Sequence, residues 1–196
     1  NSRGITTCVG VEKSGQEVFD FEYGNAFGKH VEALGPKYVK VLVRYNPENK
    51  KDNKKQLKRL KKLSKFCSKN GRDLLFELLV PPTEKDLAKE ADFDTKLRPE
   101  KTAKAISEIR KKVEVSLWKL EGLSQEGWGL VLAEIPEDEK VIVLGRGEDA
   151  EKVDFWLREA ANFDQIVGFA IGRTIFMQPL VNHLEGKSSE EEAVEK

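Results

Sequence analysis

Apolar residues in this chain fall into short, nearly unbroken runs, separated by longer stretches in which they recur every third or fourth position. The runs at 5–11, 38–44, 74–80, 113–120, 140–144 and 166–171 read as six β-strands. Their starts lie roughly 25 to 40 residues apart, enough for a strand and a crossover helix, and near-continuous apolar runs suit strands covered on both faces. The intervening stretches have helical spacing. Leu57, Leu60, Leu63 and Cys67 form one stripe, Ala103, Ile106 and Ile109 a second, and Val153, Trp156, Leu157 and Ala160 a third. Pro99 stands where a first-turn proline belongs, and Asn70-Gly71 is a helix stop.

Strand and helix therefore alternate, which predicts an α/β fold on a parallel sheet. Periodicity leaves two arrangements, an open doubly wound sheet and a (β/α)8 TIM barrel. No G-x-G-x-x-G follows the first run. Gly145-Arg146-Gly147 ends the fifth and Gly172-Arg173 the sixth, and barrels build phosphate sites after their last two strands, which favours the barrel. Six runs leave such a barrel two strands short. The chain opens on Asn1 and closes on an acidic stretch, 190–196, that reads as the first turn of an amphipathic helix, so residues 1–196 are read as one barrel domain incomplete at both ends.

Composition narrows the partners. Thirty-four basic side chains balance 34 acidic ones over 196 residues, so no overall field draws the chain to nucleic acid or an anionic membrane. The lysines between Lys50 and Lys69 lack interleaved aromatics and read as a solvated helix face. No apolar run approaches the roughly 20 residues that span a bilayer. Cys8 and Cys67 lack metal or redox spacing, His30 and His183 are too far apart to read as a metal pair, and the expected setting is a reducing cytoplasm without metal or other cofactor.

Three charges interrupt the apolar runs. Lys119 lies within Leu117-Trp118-Lys119-Leu120, Lys40 within Val39-Lys40-Val41, and Glu77 within Phe76-Glu77-Leu78. A lysine in a dry pocket, or near another cation, loses its proton more readily and becomes nucleophilic toward a carbonyl. Two such lysines facing one interior would depress one another's pKa, while Glu77 could hold one of them charged. Taken singly, each charge reads equally well as an edge or snorkelling residue. Arg173 after Gly172 suits bidentate phosphate binding, with Gly145 and Gly147 offering backbone N–H groups beside it.

The segments KVLVRYNP (40–47), FELLVPP (76–82), WKLE (118–121) and GFAIGRTIF (168–176) together resemble the 2-deoxy-5-keto-gluconate-6-phosphate aldolase-like domain of inositol catabolism, and more distantly class I tagatose-1,6-bisphosphate aldolase. The resemblance runs from about residue 11 to Phe176. It implies that the six runs are strands three to eight of an aldolase-type barrel. By position, Lys119 matches the Schiff-base lysine, Lys40 the second active-site lysine, Glu77 the active-site glutamate, and Gly172 with Arg173 the phosphate-binding segment.

There are two departures from the pattern. The strands that carry an active-site aspartate in the aldolase lie outside this sequence, and Leu144-Gly145-Arg146-Gly147 replaces a serine and other small residues. The expected activity is carbon–carbon cleavage of a small phosphorylated keto sugar by a class I aldolase. The rival is a phosphosugar-binding or regulatory barrel without catalysis. A homo-oligomer is implied by the family alone.

Overall fold

A computed structural model describes residues 4–88 and 92–195. The strands are β1 (Cys8–Gly10), β2 (Tyr38–Arg44), β3 (Asp73–Leu79), β4 (Leu117–Glu121), β5 (Lys140–Leu144) and β6 (Ile166–Ala170). They form one six-stranded sheet in the order β1-β2-β3-β4-β5-β6, every neighbouring pair parallel. The order never reverses, so the sheet lacks the switch point of a doubly wound fold. Among the described residues it is not closed: β1 and β6 are its two edges.

The helices are α1 (Phe27–Leu34), α2 (Lys50–Lys69), the single turn α3 (Glu84–Leu87), α4 (Arg98–Arg110), α5 (Gln125–Leu132), α6 (Ala150–Ala160), α7 (Arg173–Leu184) and α8 (Glu190–Val194). A π-helical turn, Phe93–Leu97, leads into α4, which carries Pro99 in its first turn, and α2 stops at Asn70. The acidic 190–196 stretch contains α8, with Ser189 and Glu192 forming a capping box, while its last residue, Lys196, lies outside the described residues.

The two-residue period of a strand sorts its side chains between the faces. Val39, Val41, Val43, Leu74, Phe76, Leu78, Trp118, Leu120, Val141 and Val143 point toward the helices and are buried against the predicted stripes of α2, α4 and α6. The packing is close enough behind β4 that a methyl group on Gly122 would overlap the Trp156 ring of α6. The other positions, among them Lys40, Leu42, Leu75, Lys119 and Ile142, face the opposite side and are half-buried. A charge on that face keeps access to water, which is how three apolar strands tolerate Lys40, Glu77 and Lys119.

Two expected strands differ by more than one residue at an end. The 113–120 run pairs as a strand only from Leu117, because Val113 and Val115 bury their side chains in the loop before the ladder begins. The first run yields a three-residue strand, hydrogen-bonded on one side only. The sixth unit also departs from the pattern of the others: α7 buries no residue, and Phe169, on the helix-facing side of β6, and Val167, at a register shift in that strand, are more than half exposed. No helix among the described residues is long and apolar enough to cross a membrane.

Candidate functional site

Three adjacent strands bring the interrupting charges together. Glu77 and Lys119 are directly opposed in the β3–β4 ladder, and Lys40 is paired with Leu75, two positions earlier on β3. Its long side chain covers that offset. Lys40 Nζ lies 2.9 Å from Glu77 Oε2, and Lys119 Nζ lies 3.1 Å from Glu77 Oε1. One carboxylate thus serves two ammonium groups, one through each oxygen.

A fourth member comes from the turn after β1. Val11 N–H donates to the Lys40 carbonyl, and Glu12 pairs with Phe21 in an isolated antiparallel bridge, which places the Glu12 side chain beside Lys40. Lys40 Nζ donates to Glu12 Oε1 at 2.5 Å, whereas the other oxygen, Oε2, is buried without a hydrogen-bond partner among the described residues. Glu12, Lys40, Glu77 and Lys119 therefore alternate in sign.

These contacts set the proton affinities. Burial works against the Lys40 ammonium, but its hydrogen bonds to Glu12 and Glu77 outweigh that and raise its pKa above the ordinary lysine value. Burial also favours a neutral Glu77, but Lys40 and Lys119 together hold its pKa below the usual carboxylate range. Mutual depression of the two lysines is thus not the outcome at Lys40, because carboxylates flank its ammonium.

Beside this cluster opens a cavity of about 290 Å³, lined by Glu77 and Lys119 on one side and by Gly145, Arg146, Gly147, Gly172, Arg173 and Thr174 on the other. That is near the lower end of the roughly 300–1,000 Å³ usual for small-molecule sites. After β5 the chain makes a tight turn in which Glu148 N–H donates to the Gly145 carbonyl at 3.0 Å, with Arg146 at φ 55° and Gly147 at φ 80°. Positive φ at both central positions marks a type I′ turn, which Gly147 adopts freely and Arg146 only at a cost of about 1 kcal/mol.

The Arg146 side chain accounts for that cost. Its Nε lies 3.3 Å from Glu121 Oε1 and its Nη1 lies 3.2 Å from Asp94 Oδ1, bridging the end of β4 to the turn before α4. Arg98, buried in α4, donates to the Gly122 carbonyl at 3.2 Å and pairs with Asp94 at 3.1 Å. Burial pushes the Glu121 carboxyl upward in pKa, opposed by the charges of Arg98 and Arg146 and by the Val80 N–H.

Arg173 is different, for it makes no ion pair among the described residues. Its guanidinium lies against Gly147, so close that a methyl there would come within 3.0 Å of Nη2. α7 starts at Gly172 with no side-chain cap, and Thr174 Oγ1 ties that start to the Glu148 carbonyl at 2.9 Å. A helix start without a side-chain cap, beside a guanidinium with no ion pair among the described residues and on the wall of a cavity, has the chemistry that suits an anion.

The family described as an uncharacterized protein conserved in bacteria (DUF2090) matches residues 2–196. The chain belongs to this family. No curated protein matches it. Membership of DUF2090 assigns no chemistry, so the chemistry of the site rests on its own residues.

All seven residues singled out in the sequence contribute to this region. Six line the cavity, and Lys40 stands behind Glu77. Sequence reasoning misses Glu12, Glu121 and Arg146. Each is a charge at or just past the carboxyl end of a strand, and that criterion, which draws attention to Arg173, finds them too. Among the described residues no group of three or more His, Cys, Asp or Glu side chains is placed to hold a metal ion.

Proposed function

We propose that this sheet belongs to an aldolase-type (β/α)8 barrel and that the protein is a carbon–carbon lyase cleaving a small phosphorylated keto sugar through a Schiff base on Lys119. The observation that carries this reading is the placement of Lys119. Its ammonium touches a shared carboxylate and faces a cavity lined also by Arg173, which makes no ion pair among the described residues and stands at a helix start. The uninterrupted strand order also fits a barrel.

In this reading Glu77 Oε1 takes a proton from Lys119, leaving a neutral amine that attacks the keto carbon as the carbonyl π pair moves to oxygen. The extra proton on the nitrogen passes to that oxygen, the proton held by Glu77 then protonates the resulting hydroxyl, and water leaves to give an iminium. The neighbouring carbon–carbon bond then breaks, its electron pair passing into the iminium to give an enamine, while the hydroxyl proton of the departing fragment goes to a base and an aldehyde leaves. Protonation of the enamine at carbon and hydrolysis by water restore Lys119. Lys40 supplies a fixed positive charge toward substrate oxygens. Arg173, with the start of α7 and the turn at Gly145 and Gly147, holds the phosphate.

The decisive test is borohydride reduction in the presence of dihydroxyacetone phosphate, followed by peptide mass spectrometry. Lys119 should gain the reduced adduct. A chain that cleaves a phosphorylated ketose and yet never traps at Lys119 would sink the Schiff-base mechanism. Arg173→Ala removes a charge-assisted contact worth about 1.5–3 kcal/mol, so KM for a phosphorylated ketose should rise roughly 10- to 150-fold. Activity on the dephosphorylated sugar should hardly change, and an equal loss on both substrates would remove Arg173 from the phosphate site.

A further inference from the structure

Lys40 has two carboxylate partners, and one of them is shared. Glu77 is engaged by both lysines, so whenever it takes up a proton the Lys40 ammonium loses the counter-charge on that side. Glu12 meets Lys40 from the opposite side at 2.5 Å and contacts no other cation among the described ion pairs. The Glu12 and Lys40 side chains are each about one-fifth exposed, so water screens their attraction only in part. The titratable groups around Lys40 are Glu12 and Cys8 from the first strand and the turn after it, Glu77 from β3 and Lys119 from β4.

We propose that Glu12 is a positioning residue: it keeps Lys40 a cation, and keeps it in place, while Glu77 exchanges its proton with Lys119. The role rests on the Schiff-base reading, because only there does Glu77 need to change protonation. Glu12 itself makes no bond to substrate. It acts through Lys40, whose positive charge must persist through a step in which its other partner is neutralised. The quartet then stays balanced throughout. Glu12 and Glu77 carry two negative charges against two ammonium groups at rest. After the transfer, one carboxylate faces one ammonium beside a neutral acid and a neutral amine. Without Glu12 the same transfer would leave Lys40 as an uncompensated, half-buried cation, which burial disfavours.

The test is pulse acetylation of the full chain with acetic anhydride across pH 7 to 11, comparing wild type with Glu12→Gln and reading Lys40 and Lys119 separately by mass spectrometry. Removing a carboxylate in direct contact should lower the pH of half-maximal Lys40 labelling by about one to three units. The alkaline limb of turnover, where Lys40 loses its charge, should move down with it. A purely structural role would lower stability and leave both profiles where they are, and a Lys40 labelling profile that superimposes on wild type overturns the assignment. Should Glu12→Gln not fold, Glu12→Asp lengthens the contact and should move the profile the same way by less, and no movement there is equally fatal.

Labelling needs no substrate, so its outcome for Glu12 is independent of the trapping experiment. A wild-type chain that never traps dihydroxyacetone phosphate defeats the Schiff-base reading, and with it the need for proton exchange at Glu77, whatever the labelling shows.

Discussion

On the Schiff-base reading, Lys119→Met is expected to abolish borohydride trapping and to cut ketose cleavage by at least about a thousand-fold, because no other lining residue among those described carries an amine. Lys40 stands behind Glu77 and cannot take over without moving. Stability should barely change, since Glu77 keeps Lys40 at 2.9 Å and no buried charge loses its last partner. Lys40→Met differs on that count, for it leaves the Glu12 and Glu77 carboxylates facing one another and should destabilise as well as inactivate. Turnover and thermal unfolding, measured on both variants, separate the two roles. Residual cleavage above about one per cent in Lys119→Met would place the nucleophile elsewhere. Saturable binding of a phosphorylated ketose by a wild-type chain that neither cleaves nor traps it would instead favour a phosphosugar-binding protein.

Asp86→Ala should cause the largest loss of stability, although the residue stands apart from the cavity. Asp86 is buried in α3, where its carboxylate accepts from Thr83 N–H at 2.9 Å, Thr83 Oγ1 at 2.8 Å and Asn46 Nδ2 at 3.1 Å, and pairs with Lys101 of α4 at 2.8 Å. It thereby clamps the loops after β2 and β3 to α4, at the carboxyl ends of two strands that carry the site. Breaking a buried pair costs about 3–5 kcal/mol. Lys101 retains Glu48 at 2.7 Å, which points to the lower end, about 3 kcal/mol, or about 6–12 °C in Tm for a chain of this size.

The pH dependence of that loss has a definite sign. Burial alone would raise the Asp86 pKa, but the Lys101, Thr83 and Asn46 donors hold it well below the ordinary aspartate value. A depressed pKa gives stability that is complete above the unfolded value, near 4, and is lost as pH falls toward the native one. Wild type and variant should therefore differ fully at neutral pH and converge in acid. A gap that stays constant down to about pH 2 would mean that lost packing, not lost charge, is responsible.

The parallel sheet was legible because one buried face and one half-buried face leave nearly continuous apolar runs. β2 and β5 fall at their expected limits. β4 does not, since Val113 and Val115 are buried without joining the ladder, and an apolar pattern records burial and not hydrogen bonding. Lys40, Glu77 and Lys119 stood out for the opposite reason, each being a charge where its neighbours forbid one. Glu12 carried no such contrast. It sits in a polar turn where glutamate is unremarked, and only the bridge to Phe21 aims it at Lys40. The ion pair between Arg146 and Glu121 spans two strands and was invisible for want of any local signal, although the glycines around Arg146 marked a turn.

Glu77 divides its two oxygens between Lys40 and Lys119, and this has a consequence for descent as well as for chemistry. Positions 40, 77 and 119 lie on three successive strands, yet a change at 77 takes the partner of Lys119 and one of the two partners of Lys40, and a change at 40 takes the partner of Glu12 and one of the two partners of Glu77. Inheritance should treat the trio as a single character. A relative that has exchanged Glu77 should have abandoned at least one of the lysines too, and members that keep only part of the set should lack the proposed lysine chemistry.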